Sequence, residues 1–338
     1  MEINEFVNNL PEEILKSDEF KSFVKDYNYR NKQGCWIQYV NGNYIVEINT
    51  INGTSIRTLP FDFMDAEFPE NIDIMVSKRC AMGCPMCHEG CTVEGAEADI
   101  LKFVNDKESF LYSLRPGTEL AIGLNEPMHK NIEDLLKLCK ERKILANITV
   151  HQTTLLKNME RIEQWLKDGY VHGIGVSYWA ENEDVIKFAQ KHPTTVFHTI
   201  NGITTPELYQ SLFDKNLKVL ILGYKEFRRG IEYKEQQSLA ISKNQLWLYD
   251  NLEDFTKKFK VTSFDNLALA QLNPKRFLTD DQWATFYRGK DSTGTMYIDL
   301  VEEVFASHST APINKRYDIK KDIKDMFQRI KNTVEESI

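Results

Sequence analysis

The stretch KRCAMGCPMCH, residues 78–88, brings three cysteines close together, with three residues between Cys80 and Cys84 and two between Cys84 and Cys87. The glycine and proline between them favour a tight loop. Thiolates at such short spacing can wrap around one small inorganic cluster. Three thiolates leave one iron of a [4Fe-4S] cube free to coordinate a substrate or cofactor. The stretch therefore predicts a cluster held by Cys80, Cys84 and Cys87.

A zinc site is the main alternative for the same loop. Cys80, Cys84 and Cys87, joined by His88 or Cys91, would supply the four ligands of tetrahedral zinc. Such a chain would be a zinc-stabilised interaction protein. Zinc sites typically use two separated ligand pairs, whereas these ligands crowd into one loop. The spacing therefore favours the cluster.

The other sequence features restrict the class of protein. Four of the six cysteines lie between positions 80 and 91, which suggests metal or redox chemistry more than disulfides. The acidic N-terminal segment does not resemble a secretory signal, and the longest apolar runs are too short to cross a membrane. We therefore expect a cytoplasmic protein. The net charge of -8 and the pI near 5.5 disfavour nucleic acid as a partner.

Outward from the loop, short apolar strands alternate with amphipathic helical stretches, which is the pattern of βα units around a parallel sheet. The predicted strands are residues 72–77, 119–124, 146–151, 173–178, 196–200 and 219–224. The predicted helices between them are residues 132–142, 156–167, 184–191 and 206–214. Six strands favour an α/β fold with a partial (β/α)6 TIM-type barrel over a closed eight-stranded one. We assign residues 71–272 to this core.

Both flanks differ from the core. In residues 1–70, a helix over 11–29 precedes three β-rich runs, at 35–40, 43–50 and 54–59, separated by Asn-Gly turns. They predict a small antiparallel sheet. After a long helix to Lys258 and a strand over 267–272, residues 273–338 form a C-terminal α/β extension. A hairpin over 294–307 and a terminal helix over 315–336 are predicted there.

With these three cysteines after the first core strand, the sequence resembles the radical S-adenosylmethionine (SAM) superfamily. The resemblance implies that the free iron chelates SAM, and that the reduced cluster cleaves it to a 5′-deoxyadenosyl radical for hydrogen abstraction. It also implies an electron donor of flavodoxin or ferredoxin type and a small-molecule or peptide substrate. Met86 stands where the family commonly has an aromatic residue. A fold that holds the cluster without catalysis remains an alternative.

A second stretch, AIGLNEP at residues 121–127, partly resembles the glycine-rich turn ending in Glu-Pro that receives the SAM ammonium group in this family. Gly123 would let the backbone approach the cofactor, and Glu126 would be a charged acceptor. The resemblance implies that Gly123, Asn125, Glu126 and, at the end of the fourth core strand, Ser177 bind the cofactor. An ordinary capped turn between strand and helix is the alternative for this stretch.

Several further polar residues have less specific signals. Lys225, Arg228 and Arg229 follow the sixth core strand, where they could bind an anionic group. A solvated basic turn explains each of them singly just as well, and we favour that interpretation. At strand ends, His151 and His198 could line a cavity or belong to the core.

Overall fold

The computed structural model describes residues 3–58, 60, 63–287 and 289–335. Its N-terminal part contains α1 (Ile3–Asn8), α2 (Glu12–Lys16), α3 (Asp18–Lys32), β1 (Trp36–Asn41), β2 (Tyr44–Asn49) and β3 (Ser55–Thr58). The helix predicted over residues 11–29 is two helices, because Ser17 is extended and caps α3 by accepting from the Phe20 amide at 3.1 Å. The three strands form the predicted antiparallel sheet, in the order β1-β2-β3. Leu59, in the third predicted strand, lies outside the described residues.

Successive strands and helices make up the central part. They are β4 (Asn71–Met75), α4 (Ile100–Asn105), β5 (Glu119–Leu124), α5 (Ile132–Glu141), β6 (Leu145–His151), α6 (Gln152–Lys157), α7 (Met159–Lys167), β7 (Gly173–Ser177), α8 (Glu183–Lys191), β8 (Thr195–Ile200), α9 (Pro206–Gln210), β9 (Lys218–Leu222) and α10 (Arg229–Thr256). The C-terminal part adds β10 (Val261–Phe264), α11 (Asn266–Leu272), α12 (Asp280–Phe286), β11 (Thr295–Asp299), β12 (Val304–Ala306), β13 (Tyr317–Asp318) and α13 (Ile323–Glu335).

The large sheet has the strand order β10-β9-β8-β7-β6-β5-β4-β11-β12-β13. Strands β4 to β9 are the six predicted core strands, parallel and in chain order. The α/β fold with one large parallel sheet and one small antiparallel sheet is therefore confirmed. Two C-terminal strands extend the parallel part, since β10 pairs with β9 and β11 pairs with β4. The sheet thus continues across the predicted boundary at residue 272, and the division into three domains stays a prediction.

Two predicted elements of the C-terminal part are wrong. Residues 267–272 form helix α11 and not a strand, because the Asp265 carboxylate caps this segment by accepting from the Ala268 amide at 2.7 Å. The terminal helix begins at Ile323 and not at residue 315, and Glu336 lies outside the described residues. The predicted hairpin over residues 294–307 is present as the antiparallel pair of β11 and β12.

Alternate residues of the central strands face opposite sides of the sheet. On β4, Ile72 and Ile74 are buried in the main hydrophobic core. Asn71, Asp73 and Met75 alternate with these isoleucines and face the other side, where two neighbouring cavities lie. The same alternation recurs on the following strands, so the polar face of the sheet positions the candidate site. In the part of the chain that the structure describes, no helix is long and apolar enough to cross a membrane.

Candidate functional site

The cysteine loop leaves the end of β4 and is fixed by its own backbone. The Cys80 amide donates to the Thr92 carbonyl at 2.7 Å, and the Thr92 amide donates to the Lys78 carbonyl at 3.1 Å. A Cβ atom at Gly95 would lie 1.9 Å from the Lys78 carbonyl oxygen, so only glycine fits there. The segment of residues 78–96 therefore folds back on itself and holds the thiols at the end of the sheet.

Two contacts attach this loop to its neighbours. The Ala81 amide donates to the Glu126 carbonyl at 2.7 Å, which joins the cysteine loop to the second motif. The Lys78 ammonium lies 2.9 Å from Oδ2 of Asp299, whose side chain is fully buried at the end of β11. The loop is thus attached on both sides, to β5 and to the C-terminal part.

Cys80, Cys84 and Cys87 are half-buried free thiols that line one cavity of about 580 Å³. Burial raises the pKa of the Cys84 thiol, and the neighbouring Cys87 and Cys80 raise it further. A hydrogen bond from the Cys91 thiol lowers the pKa of Cys87, and Arg229 contributes to the same shift. The three predicted ligands are therefore neighbours, with Cys91 next to Cys87.

The arrangement of the thiols fits a [4Fe-4S] cluster better than a single zinc ion. Among the described residues, no set of three or more His, Cys, Asp or Glu side chains has the geometry to hold a single metal ion. A [4Fe-4S] cluster instead takes each thiolate on a different iron, so its ligands need not converge on one point. Three thiols that line one cavity fit this requirement.

Gly123 and Asn125 line the same cavity at the end of β5. The Asn125 amide donates to the Ser77 carbonyl at 2.6 Å and lies 3.7 Å from the Cys91 sulfur. A Cβ atom at Gly123 would have no other atom within 4 Å, so this position opens into the cavity. Ser177, at the end of β7, also lines it. Three of the four predicted cofactor residues therefore surround the cavity of the thiols.

Glu126 is the fourth predicted cofactor residue, and its carboxylate lies elsewhere. Its Oε1 is 3.1 Å from the Lys157 ammonium on α6, while Oε2 is buried without a hydrogen-bond partner among the described residues. Glu126 is not among the residues that line the cavity of the thiols. A cofactor contact through this carboxylate stays a prediction, and it would require the side chain to move away from Lys157.

His151 and Trp179 are an aromatic pair that also lines the cavity of the thiols. Their rings stack with centroids 6.1 Å apart and planes inclined by 28°. Burial lowers the pKa of His151, and its Nδ1 accepts from the Thr153 amide at 3.1 Å. The sequence had suggested His151 for the cavity, but Trp179 was missed. The sequence relates Trp179 to the predicted site only by its position two residues after Ser177, and this position does not show that the ring lines the cavity.

The basic turn after β9 contacts the cysteine loop, so our favoured interpretation of a merely solvated turn is wrong for Lys225 and Arg229, whereas Arg228 is exposed. Arg229 donates from Nη2 to the Cys91 carbonyl at 2.8 Å, and Arg228 donates from Nη1 to the Glu89 carbonyl. The Lys225 ammonium nitrogen Nζ lies 3.3 Å from Nε2 of His88. Helix α10 therefore begins directly on the loop of the thiols.

No protein-family model matches the chain. Crystal structures of Streptococcus suis SuiB have similar folds. SuiB bound to the precursor peptide SuiA has a TM-score of 0.55 and 14% identity, over 87% of both chains. SuiB bound to S-adenosylmethionine has a TM-score of 0.55 and 12% identity, over 87% of this chain and 86% of that one. At this identity the likeness shows the fold.

One curated protein shows a limited similarity in sequence. An FBD-associated F-box protein of Arabidopsis thaliana is 22% identical over 168 residues, which are 48% of this chain. The match spans 39% of that protein's length. It identifies no family for this chain.

Proposed function

We propose that this chain is a radical SAM enzyme, in which Cys80, Cys84 and Cys87 hold a [4Fe-4S] cluster and SAM binds beside them. The observation that carries the proposal is that one cavity is lined both by the three thiols and by Gly123, Asn125 and Ser177. When bound, the reduced cluster would supply the electron that cleaves SAM to methionine and a 5′-deoxyadenosyl radical.

Each part of the cavity has a role in this proposal. The open space over Gly123 admits the methionine part of SAM, and the Ser177 hydroxyl offers it a hydrogen bond. His151 and Trp179, the aromatic pair in the lining, would offer a ring face for stacking of a purine base. The buried Met86 packs in one hydrophobic cluster with Cys84 and brings a polarizable side chain next to that thiol. Exclusion of water from such a pocket protects a reactive radical from side reactions.

We also propose that strands β4 to β9 curve into a partial (β/α)6 barrel. Two neighbouring cavities support this shape, because alternate residues from all six strands line them on one side of the sheet. Residues near the beginnings of the strands line the inner cavity, and residues near their ends line the cavity of the thiols. Such an arrangement places the site at the carboxyl ends of the strands, as in other parallel barrels.

The structural neighbours guide the choice of partners. SuiB was crystallised with SAM and with a precursor peptide, so we propose SAM as cofactor and a peptide or small molecule as substrate. The electron would come from a donor of flavodoxin or ferredoxin type.

Anaerobic reconstitution with iron and sulfide, followed by dithionite and SAM, tests the proposal. The readout is 5′-deoxyadenosine, measured by mass spectrometry, together with bound iron. Wild type should form the product, and Cys84→Ala should lose it. Cys35→Ser is the matched control, because Cys35 precedes β1 and does not line the cavity. It should retain both iron and product.

Two other outcomes would point to the alternatives. Zinc in place of iron, lost in Cys91→Ala as well as in Cys84→Ala, would show a zinc-stabilised protein and contradict the proposal. A bound cluster without product, even with candidate peptides present, would favour a fold that holds the cluster without catalysis. Iron retained in Cys91→Ala would agree with three ligands.

A further inference from the structure

A second cavity of about 500 Å³ lies against the inner face of the sheet, below the cavity of the thiols. We call it the inner chamber. Thr149, His198 and Leu222 line both cavities, so the two are contiguous. At its far end, the turn between β2 and β3, residues 50–53, and Asn71 line it. A molecule in the inner chamber would therefore face the proposed SAM site at one end only.

The Asp73 carboxylate projects into the inner chamber from the middle of β4. Its side chain is exposed, because its surface opens into the chamber. No hydrogen bond or ion pair engages this carboxylate within the described ranges 3–58, 60, 63–287 and 289–335. Burial raises the pKa of Asp73, and the positive charge of Lys225 opposes this effect. Because this carboxylate opens into the chamber and has no direct partner there, it is free to pair with a cationic group that enters the chamber.

The other acids of the inner chamber already have partners. Glu119 accepts from the Asn147 amide at 3.0 Å. Asp265 accepts from the Gly223 amide at 2.8 Å and caps α11. Three carboxylates, those of Asp73, Glu119 and Asp265, face two ammonium groups, those of Lys218 and Lys225, across the chamber walls. Of these three carboxylates, that of Asp73 has no direct hydrogen bond or ion pair among the described residues.

The position of Asp73 also limits the length of the ligand. Met75, two residues further along β4, lines the cavity of the thiols. Two residues of strand span about 7 Å. A cationic group at Asp73 would thus lie one extended aliphatic side chain below the proposed SAM site. Lysine and arginine side chains have this length and charge.

We propose that the inner chamber binds the cationic end of the substrate, an alkyl amine or guanidine of the lysine or arginine type, with Asp73 as its counter-ion. That the ligand is a substrate rests on the proposed function, whereas its binding does not. The aliphatic part of the ligand would pass between Thr149 and Leu222, and the group next to it would reach the upper cavity.

The proposal is tested by the binding of two amino-acid probes to the reconstituted protein. Their amino and carboxyl groups are blocked as amides, so that only the side chain can carry a charge. The probes are Nα-acetyl-L-lysine N-methylamide and the norleucine analogue, which has a side chain of similar length without the charge. Calorimetry or ligand-observed NMR measures their affinities with SAM present. Wild type should bind the lysine probe about tenfold or more tightly than the norleucine probe, since a charge-assisted hydrogen bond distinguishes them.

Three variants locate the effect. Asp73→Asn should abolish the preference for lysine. Ala121→Lys leaves Asp73 in place but puts an ammonium group on the neighbouring strand position, so it should also abolish the preference. Glu119→Gln, which alters an acid that is already hydrogen-bonded, is the control and should keep it. Circular dichroism and thermal unfolding confirm that each variant is folded.

Equal binding of the two probes by wild type, no binding of either, or an unchanged preference in Asp73→Asn or Ala121→Lys would overturn the proposal. The result is separable from that of the proposed function. Lysine binding through Asp73 without 5′-deoxyadenosine formation would retain the chamber assignment and contradict the radical chemistry. Formation of 5′-deoxyadenosine without a preference for the lysine probe would support the radical chemistry and contradict the chamber assignment.

Discussion

The Arg229 guanidinium donates a hydrogen bond from Nη2 to the carbonyl oxygen of Cys91 at 2.8 Å. This bond joins the first residue of α10 to the loop of the thiols, across 138 positions of sequence. The Nε atom of the same guanidinium is buried without a partner among the described residues. Arg229 therefore positions the loop and also faces the cavity that we assign to SAM.

Replacement of Arg229 by glutamine should loosen the cysteine loop. A hydrogen bond from a charged donor is worth about 1.5–3 kcal/mol, so local opening of residues 87–92 should become about tenfold or more frequent. Hydrogen-deuterium exchange of these amides measures the effect, and iron content after reconstitution should fall. Arg228→Gln is the control, because Arg228 is exposed where it contacts the Glu89 carbonyl. Equal exchange in both variants would contradict a positioning role for Arg229.

Two glycines of the sheet should respond differently to alanine. A Cβ atom at Gly175 would lie 2.3 Å from Cε1 of His198 and 2.9 Å from Oγ1 of Thr149. Gly175→Ala should therefore destabilise the fold by about 1–3 kcal/mol, the usual cost of overpacking. Gly123→Ala has open space and should leave stability almost unchanged. Denaturant unfolding measures both, and a similar loss in the two variants would argue against this geometry.

Gly123→Ala should still impair the binding of SAM, because its new methyl group occupies the cavity of the thiols. We expect SAM affinity, measured by calorimetry on the reconstituted protein, to fall about tenfold, as for loss of one well-fitted contact of about 1.4 kcal/mol. Ser113→Ala, remote from this cavity, serves as the control. Unchanged affinity in Gly123→Ala would remove this residue from the cofactor site.

The central strands could be predicted well because each one is a short apolar run next to an amphipathic helix. Residues 119–124, for example, form a strand with the predicted bounds. This periodicity depends only on local sequence. In contrast, nothing local indicates that β11 pairs in parallel with β4, because the two strands are more than 200 positions apart. The same segment is also an ordinary hairpin partner of β12.

The site residues also differ in whether local sequence or contacts between distant segments indicate them. Cys80, Cys84 and Cys87 could be predicted as a group because one loop carries them all. Arg229 and Trp179 could not be assigned, since their importance depends on where α10 and β7 lie in relation to that loop. Asp73 was hidden in a strand, where a single polar residue between Ile72 and Ile74 reads as the solvated face of the sheet. Only the cavity on that face gives Asp73 a role.

The ion pair between Lys78 and Asp299 should contribute strongly to stability, because both side chains are largely buried. Lys78→Met would leave the Asp299 carboxylate buried without its cation and should cost about 3–5 kcal/mol. Lys102 pairs with Glu303 in the turn that follows Asp299, but both side chains are about half exposed. Lys102→Met should thus cost less than about 1 kcal/mol. Comparable losses in denaturant unfolding would contradict the difference in burial.

Stability should also depend on pH through His198, which is partly buried where the two cavities meet. Burial lowers the pKa of His198 from 6.5 to about 4. Between these values the unfolded chain binds more protons than the folded protein, so acid favours unfolding. The free energy of unfolding should therefore be unaffected by this residue above pH 6.5. It should fall by up to about 3 kcal/mol as the pH decreases toward 4.

In His198→Gln this part of the pH dependence of unfolding should disappear, while the slopes of both proteins coincide above pH 7. Parallel slopes from pH 6.5 to 4 would show that the imidazole is not held neutral by the fold.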